Sequence, residues 1–281
     1  MRIDFHTHPF MIQELFSDDP KLEYAVKNVF GLLFPAQPLS IFLTEMDAAG
    51  VDKSVLLPID CTTKYNCKIV SNEAVAGLCR ENSRLIGFAS VDPNSKNAVK
   101  DLEFAVKELG LKGLKLDPAL QAFDMASESL AYPVYRQAAE LNIPVIIHCG
   151  LNWAPRAMTK DGNPLDLEPA VLANPDTKFI ISHLGWPWCN EASTLAMKYS
   201  NVYLDTSVVY SGTPAEALEH VIVGMMGKEI FERNLADKVV YGSNYPRADM
   251  RRTMRGMMKL NFSEYFYDKL FYKNAESLLS L

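Results

Sequence analysis

Two histidines near the N-terminus have the spacing of half a metal site. His6 and His8 lie two residues apart at the end of a short apolar segment. In a β-strand, residues i and i+2 point to the same face, so the two imidazoles are expected to project together while Phe5 and Thr7 face the other way. Neutral imidazoles in this arrangement suit a divalent cation. Taken alone, the spacing fits coincidence or an expression-tag remnant equally well.

Eight short segments of the chain have the pattern of β-strands. They are rich in β-branched residues, each ends in a polar or glycine-bearing loop, and several are continuously apolar, as strands buried on both faces must be. They cover approximately Arg2 to His8, Lys53 to Ile59, Arg84 to Val91, Leu111 to Asp117, Ile143 to Cys149, Thr177 to His183, Asn201 to Thr206 and Lys238 to Ser243.

Helical patterns alternate with these strands. They cover about Ile41 to Ala49, Ile69 to Glu81, Lys96 to Leu109, Ser129 to Leu141, Leu165 to Ala173, Glu191 to Tyr199 and Pro214 to Arg233, and then Arg251 to Leu260 and Ser263 to Leu281. Eight strand and helix alternations predict an α/β protein, a single (β/α)8 TIM barrel domain over residues 1–281 with extra C-terminal helices. The apolar segment 10–40 is too long for a simple loop and predicts an insertion after strand 1 that serves as a lid or an oligomer contact.

The remaining histidines strengthen the metal hypothesis. On this frame His148 ends the fifth strand and His183 ends the sixth, whereas His220 falls on a helix. Four of five histidines therefore lie at C-terminal strand ends, the face where barrel enzymes carry their active sites. Three or four convergent imidazoles fit a zinc-type site.

Composition bounds the class of protein. With 281 residues, 48% hydrophobic and 22% charged, the chain has the composition of a soluble globular protein. A net charge of −6 speaks against nucleic-acid binding. No apolar run approaches the roughly 20 residues that cross a bilayer, and the N-terminus does not read as a signal peptide, so we expect no membrane partner and a cytoplasmic location.

Six motifs lie on or beside the predicted strands. They are Asp4-Phe5-His6-Thr7-His8, Gly113-Leu114-Lys115-Leu116, Ile147-His148-Cys149-Gly150, Ser182-His183-Leu184-Gly185-Trp186-Pro187, Asn201-Val202-Tyr203-Leu204-Asp205 and Tyr241-Gly242-Ser243-Asn244-Tyr245-Pro246. Together they resemble the amidohydrolase superfamily. The set is most similar to the amidohydrolase-2 branch, which contains aminocarboxymuconate-semialdehyde decarboxylase, related aromatic-acid decarboxylases and many hydrolases. The resemblance spans the whole chain but does not specify a substrate.

This resemblance implies a role for each matching residue. His6, His8 and His148 are expected to ligate one divalent ion, most often zinc, with a position left open for water or substrate. His183 is expected to be the catalytic acid/base group or a further ligand. Asp205 is expected to orient a ligand by accepting its hydrogen bond.

One position departs from the family pattern. The family usually carries aspartate in the Gly-Ser-Asp-Tyr-Pro context, and this chain has Asn244. An amide oxygen is a weaker, neutral ligand and no useful base. Three hypotheses remain open at this catalytic position: His183 alone manages the proton, the enzyme is disabled on purpose to trap a ligand, or the protein binds without catalysing.

Other residues near the strand ends are candidates for substrate binding. Lys115 ends the fourth strand and is expected to contact a substrate carboxylate or to lie at the barrel rim, in preference to bridging two ions. Aromatic and guanidinium groups follow strands five, six and eight and suit a flat or unsaturated carboxylate. These are Trp153, Arg156, Trp186 and Arg247.

The sequence thus predicts a metal-dependent hydrolase that acts on a small carboxylated substrate through metal-activated water. One alternative is a non-oxidative decarboxylase of an aromatic or unsaturated acid. A second is a catalytically impaired member that binds metal and ligand, as the residue at position 244 would allow. Since the branch it resembles is often dimeric, a homodimer is possible.

Overall fold

Parallel strands form the framework of the protein. The computed structural model describes residues 1–16, 20–207 and 212–281. The strands are β1 Ile3–Thr7, β2 Lys53–Leu56, β3 Ile59–Cys61, β4 Cys67–Ile69, β5 Leu85–Gly87, β6 Leu114–Leu116, β7 Val145–Ile147, β8 Phe179–Ile181, β9 Val202–Asp205 and β10 Val239–Val240. One parallel sheet has the order β1-β2-β5 and the other the order β10-β9-β8-β7-β6. The predicted α/β class is confirmed.

The two parallel sheets meet at both edges. Ala89, just beyond β5, forms a parallel bridge with Leu114 of β6, and Thr7 of β1 forms one with Tyr245, beyond β10. The backbone N–H of Phe5 also donates to the carbonyl of Tyr241 over 2.7 Å. Strands of both sheets contribute to one apolar cluster, which includes Ile3, Phe5, Ile86, Ile146, Ile180 and Val240.

Helices separate the strands along the chain. The α-helices are α1 Pro20–Tyr24, α2 Leu39–Ala49, α3 Thr62–Tyr65, α4 Asn72–Glu81, α5 Ala98–Lys107, α6 Pro118–Gln121, α7 Ala131–Glu140, α8 Glu168–Ala173, α9 Cys189–Lys198, α10 Pro214–Leu218, α11 Lys228–Asn234, α12 Met250–Lys259, α13 Glu264–Asp268 and α14 Asn274–Leu279. Segments of π-helix cover Ala25–Phe30, Glu219–Met226 and Lys269–Lys273. None of the helices within the described residues combines the length and apolarity needed to cross a membrane.

Two predicted helices differ from the structure. The helix predicted from Ile69 starts at Asn72, where Ser71 caps it by accepting from the backbone N–H of Ala74, and Cys67–Ile69 instead pairs antiparallel with Ile59–Cys61. The helix predicted from Pro214 to Arg233 is broken at Gly227, whose φ of +83° is not helical. In both places the spacing of the apolar residues suits a continuous helix as well as the observed structure, and a local turn ends or interrupts the helix.

A β-bulge distorts β1 just before the histidines. The register runs from Asp4 opposite Ser54 to Thr7 opposite Leu56, so β1 carries one extra residue between these pairs. The Asp4 carboxylate holds this region by accepting from the backbone N–H groups of His6, over 3.2 Å, and of Ser243, over 2.9 Å. Bulges re-aim side chains next to active sites, which bears directly on His6.

The segment predicted as an insertion after strand 1 has its own ordered contacts. It contains 3-10 turns at Pro9–Met11 and Gln13–Leu15, then α1 and the π-helix Ala25–Phe30. Residues 17–19 of the predicted range 10–40 lie outside the described residues. Its service as a lid or an oligomer contact stays a prediction, as does the single-domain organisation.

Candidate metal centre

The candidate site gathers side chains at the carboxyl ends of the parallel strands. His6 lies in β1, and His8 follows that strand. His148 follows β7, His183 follows β8 and Asp205 ends β9. Because parallel strands end on one side of the framework, residues distant in sequence meet there.

The two N-terminal histidines turn the same nitrogen toward each other. Their Nε2 atoms are 3.2 Å apart. His6 directs Nδ1 to the Asp205 carboxylate over 2.9 Å, and His8 directs Nδ1 to the carbonyl of Leu57 over 3.2 Å. A carboxylate and a carbonyl can only accept, so in the neutral rings we assign both protons to Nδ1. Two lone pairs then face each other across 3.2 Å, which is unfavourable unless a cation lies between or beside them.

His183 has the same orientation. Its Nδ1 lies 3.2 Å from the carbonyl of Ser207 and 2.6 Å from the hydroxyl of the same residue. The carbonyl fixes the proton on Nδ1, so Nε2 carries a lone pair, and this atom is 3.1 Å from Nδ1 of His148. Ring centroids of His183 lie 4.8 Å from those of both His6 and His148. The structure therefore brings all four predicted histidines together.

Asp205 organises two of these rings from behind. One carboxylate oxygen accepts from His6 Nδ1, and the other accepts from the backbone N–H groups of His183, over 3.1 Å, and Ser207, over 2.9 Å, as well as from the Ser207 hydroxyl. Donor atoms of His6, His183 and Asp205 all lie within 4.8 Å of one another and could hold an ion. Because its oxygens already accept four hydrogen bonds, we interpret Asp205 as an orienting residue, as predicted.

Burial keeps the imidazoles neutral. Loss of solvent lowers the pKa of His6, His8 and His183 well below the ordinary value, and lowers the pKa of His148 to about 4. The positive charge of Lys115 acts in the same direction on all four rings. Neutral imidazole is the form that ligates a metal.

The donor set fits a divalent ion. His148 Nε2 is buried and meets no hydrogen-bond partner among the described residues. A buried polar atom without a partner costs about 1–3 kcal/mol, so its presence beside several imidazole lone pairs is best explained by a bound cation. The donor atoms that converge closely enough to hold an ion belong to His6, His183 and Asp205. Ligation by His6, His8 and His148 stays a prediction.

The backbone at His183 is strained. His183 and Leu184 both adopt left-handed conformations, with φ of 60° and 51°. Such conformations cost on the order of 1–2 kcal/mol per residue without glycine and persist where the surroundings hold them. Here the Asp205 carboxylate accepts the His183 N–H, which turns the imidazole toward the other rings.

Asn244 occupies the predicted position after β10. It is 1% exposed and lines a small pocket beside the histidines. Its φ is 64°, a conformation that asparagine tolerates better than most residues. Its backbone N–H donates to the carbonyl of His6 over 3.0 Å. The Asn244 amide therefore lies in the site beside His6.

A small pocket opens onto the histidines. Its volume is about 20 Å³, room for about one water molecule. Lys115, 1% exposed, donates to the Ser182 hydroxyl over 3.3 Å, and its burial lowers the pKa of the ammonium. Burial likewise lowers the pKa of Arg247 to about 10. The pocket is lined by His8, Phe30, Ile59, Lys115, Asp117, His148, Leu151, Asn152, Trp153, His183, Asn244 and Arg247.

The predicted substrate-binding residues divide into two groups. Lys115, Trp153 and Arg247 line the pocket. Arg156 is exposed and Trp186 is half-buried, and neither lines it. The Trp186 carbonyl instead accepts from the backbone N–H of Leu151 and ties two loops together. Substrate contact by the second group stays a prediction without support from this geometry.

Several residues of the site were not identified from the sequence. Ser207 touches both histidines held by Asp205, and Asn152 donates to both oxygens of Asp117 at 3.1 and 3.0 Å. Phe30 comes from the insertion and covers His8. Ser207 lies two residues beyond Asp205, so the alternation of a strand could have indicated it. The others depend on loop conformation.

Comparison with known families identifies one match over almost the whole chain. A family model described as amidohydrolase matches residues 3–281. Among curated proteins, a stretch of 81 residues is 32% identical to Protein fluG from Emericella nidulans. That stretch is 29% of this chain and spans only 9% of the length of that protein.

Solved structures share the fold. An uncharacterised TIM-barrel protein from Bordetella bronchiseptica matches with a TM-score of 0.79 and 22% identity, covering 99% of this chain and 98% of that one. A 5-carboxyvanillate decarboxylase from Novosphingobium aromaticivorans matches with a TM-score of 0.67 and 18% identity, covering 100% and 97% of the two chains. That structure is of an aspartate-to-asparagine mutant with bound manganese and 3-methoxy-4-hydroxy-5-nitrobenzoic acid.

Proposed function

The chain belongs to the amidohydrolase family, and on that premise we propose that it is a metal-dependent hydrolase of a small carboxylated substrate. The observation that carries the proposal is the tautomer pattern. His6, His8 and His183 each direct a proton to an acceptor behind the ring and a lone pair into the site. We propose that His6, His8 and His148 hold one divalent ion, with zinc as the first candidate. When bound, it supplies Lewis acidity and lowers the pKa of a water toward neutrality.

His183 is the proposed proton acceptor. Its Nε2 lone pair points into the site, and its Nδ1–H is held by Ser207. A proton taken up at Nε2 makes the ring cationic, and the nearby Asp205 carboxylate favours that charge. This is the arrangement in which an imidazole takes a proton from the attacking water and returns it to the leaving group.

Lys115 and Arg247 are the proposed carboxylate-binding groups. Both line the pocket, both are largely removed from solvent, and Asp117 favours the charged form of each. A guanidinium can bind a carboxylate through two parallel hydrogen bonds, while an ammonium acts as a point charge. We further propose that the two sheets, bridged at both edges, make up one eight-stranded barrel.

A decarboxylase is the second candidate. Asn244 stands where a carboxylate could accept a proton from water, and an amide cannot do so. Loss of carbon dioxide breaks a carbon–carbon bond, leaves the electron pair on carbon and requires one proton there, which protonated His183 could deliver. The resemblance in fold to a 5-carboxyvanillate decarboxylase supports this candidate.

One experiment separates the candidates. The purified protein is loaded with zinc or manganese and offered carboxylated lactones and amides alongside hydroxybenzoates, with carbon dioxide and the addition of water to substrate both measured. Addition of water without carbon dioxide supports the hydrolase, and carbon dioxide release supports the decarboxylase. Retained metal without either product supports a protein that binds and does not catalyse.

Two substitutions test the metal and the asparagine. We expect His8→Ala to lose metal, while His220→Ala, on an exposed helical position, retains it. Asn244→Asp should raise hydrolytic turnover if a missing base limits the reaction, because a carboxylate adds both charge and a proton acceptor. Asn66→Asp is the matched control, since Asn66 also has a left-handed φ, of 52°, but is exposed and outside the pocket.

A further inference from the structure

The pocket beside the histidines is too small for the substrate that it is proposed to bind. About 20 Å³ accommodates roughly one water molecule, whereas even a small organic acid needs several times that space. A substrate of that size would fit wholly inside the pocket only if part of the lining moved. Phe30 is the lining residue that comes from the insertion after β1.

Phe30 lines the pocket and packs against His8. Its ring centroid lies 5.1 Å from that of His8 and 4.5 Å from that of Phe10, and only 6% of the residue is exposed. The next aromatic residue of the same segment, Phe34, is 56% exposed. Phe30 is thus specifically turned inward at the end of its π-helix.

Arg247 holds Phe30 in two ways. Its Nη2 donates to the carbonyl of Phe30 over 2.5 Å, and its guanidinium carbon lies 4.3 Å from the centre of the Phe30 ring. The backbone N–H of Arg247 donates to the carbonyl of Asn244 over 2.8 Å, so the arginine is anchored beside the proposed metal site. Arg247 therefore links Phe30 to Asn244, beside the proposed metal site.

Hydrogen bonds near the two ends of the segment that carries Phe30 hold those ends together. Ile12 forms a parallel bridge with Gln37, and the backbone N–H of Gln13 donates to the carbonyl of Gln37 over 2.7 Å. The Glu14 carboxylate accepts from the backbone N–H of Leu39, at the start of α2, over 2.9 Å. These bonds lie seven or more residues from Phe30 along the chain, so a movement of Phe30 does not require them to break.

We propose that Phe30 and Arg247 form a gate over the metal pocket, and that an organic carboxylate stabilises its open state by taking the guanidinium from the Phe30 carbonyl. A carbonyl is a neutral acceptor that takes one hydrogen bond from the guanidinium, whereas a carboxylate carries a negative charge and can accept two parallel hydrogen bonds from it. A ligand that prefers the open state shifts the population toward it. The choice of a carboxylate rests on the proposed function, whereas the closure itself rests on the contacts above.

Hydrogen–deuterium exchange of the full-length protein tests the gate without using turnover. Peptides from residues 20–36 include the amide of Leu32, which donates to the carbonyl of Val26 over 3.0 Å. Amides of this segment should exchange roughly tenfold faster in Arg247→Met and Phe30→Ala than in wild type. Arg247→Met loses the charge-assisted hydrogen bond to the Phe30 carbonyl, and Phe30→Ala loses the packing of the ring. Phe34→Ala, in the same segment, should exchange as wild type does.

Benzoate is the probe for opening, with sodium chloride at equal ionic strength as the control. Benzoate should speed exchange of this segment in wild type and leave Arg247→Met unchanged. Equal exchange in wild type and Arg247→Met, or slower exchange of wild type with benzoate, would overturn the proposal. Phe30→Leu and Arg247→Lys, which keep apolar character and positive charge respectively, should give intermediate rates and guard against a misfolded variant.

The outcome separates this gate from the proposed function. If the protein binds no zinc and turns over no substrate, yet Arg247→Met and benzoate both release the segment, the gate stands and the proposed function fails. If metal and turnover are present but exchange is the same in all variants, the gate fails alone.

Discussion

Replacing Asp205 with asparagine should weaken metal binding by forcing a proton onto the wrong nitrogen of His6. The Asp205 carboxylate accepts from His6 Nδ1 on one oxygen and from His183 and Ser207 on the other. In Asp205→Asn the single amide oxygen can satisfy only one of these sides. If it stays with the two backbone N–H groups, the amide NH₂ faces His6 Nδ1.

The magnitude follows from this conflict. Two donors cannot share a hydrogen bond over 2.9 Å, so the His6 proton moves to Nε2, which removes the lone pair that faces His8. Loss of a partner that orients a metal ligand costs 10- to 100-fold in affinity, or about 1.4–2.7 kcal/mol. Ser207→Ala removes only one contact to the carboxylate and should cost less than about tenfold.

The assay is a competitive zinc titration against a chelating dye, with thermal melting as the check on folding. Nitrogen chemical shifts of labelled histidines report which ring atom of His6 carries the proton. A zinc affinity of folded Asp205→Asn within threefold of wild type would refute the reasoning, as would a weakened site in which His6 keeps its proton on Nδ1. A loss far beyond hundredfold would show that Asp205 is itself a ligand.

Further predictions concern acidity, substrate charge and packing. His148 has its ordinary pKa of 6.5 in the unfolded chain, but burial lowers this pKa to about 4 in the folded protein. The free energy of unfolding of the metal-free protein should therefore fall by about 3 kcal/mol from this group as the pH drops from 6.5 to 4. Calorimetry measures this change, and a constant free energy of unfolding would contradict the prediction. Lys115→Met should raise KM for a carboxylated substrate and leave zinc content unchanged; loss of zinc would instead make Lys115 part of the metal site. Gly150→Ala should destabilise the fold by about 2 kcal/mol or more, because φ is +93° and a Cβ would lie 2.2 Å from the Trp186 carbonyl oxygen; an unchanged denaturation midpoint would refute this.

Local pattern determined most of the framework. Continuously apolar runs such as Val145–Ile147 and Phe179–Ile181 predict buried parallel strands, and both are strands in the structure. Because parallel strands end at one edge, the positions of His148 and His183 in the sequence were enough to predict that they meet the N-terminal pair. Asn244 was identified differently, from the resemblance of its motif to the amidohydrolase superfamily, in which an aspartate is usual.

Tertiary structure decided the properties that depend on contacts distant in sequence. The proton positions of His6 and His8 depend on Asp205 and on the Leu57 carbonyl, and no spacing within the first strand contains that information. The antiparallel pairing of Ile59–Cys61 with Cys67–Ile69 depends on a turn, since its apolar residues suit a helix or a strand.

The closure of the pocket is also a tertiary property. Phe30 and Arg247 are 217 positions apart, and their contact depends on how the segment after β1 folds back over the strand ends. Arg156 shows the opposite case, because its loop turns it to solvent although its position in the sequence suits the pocket. The sequence alone indicated which side chains could ligate a metal, because residue types are local. The structure determined their hydrogen-bond partners and their access to solvent, because these depend on what packs against each side chain.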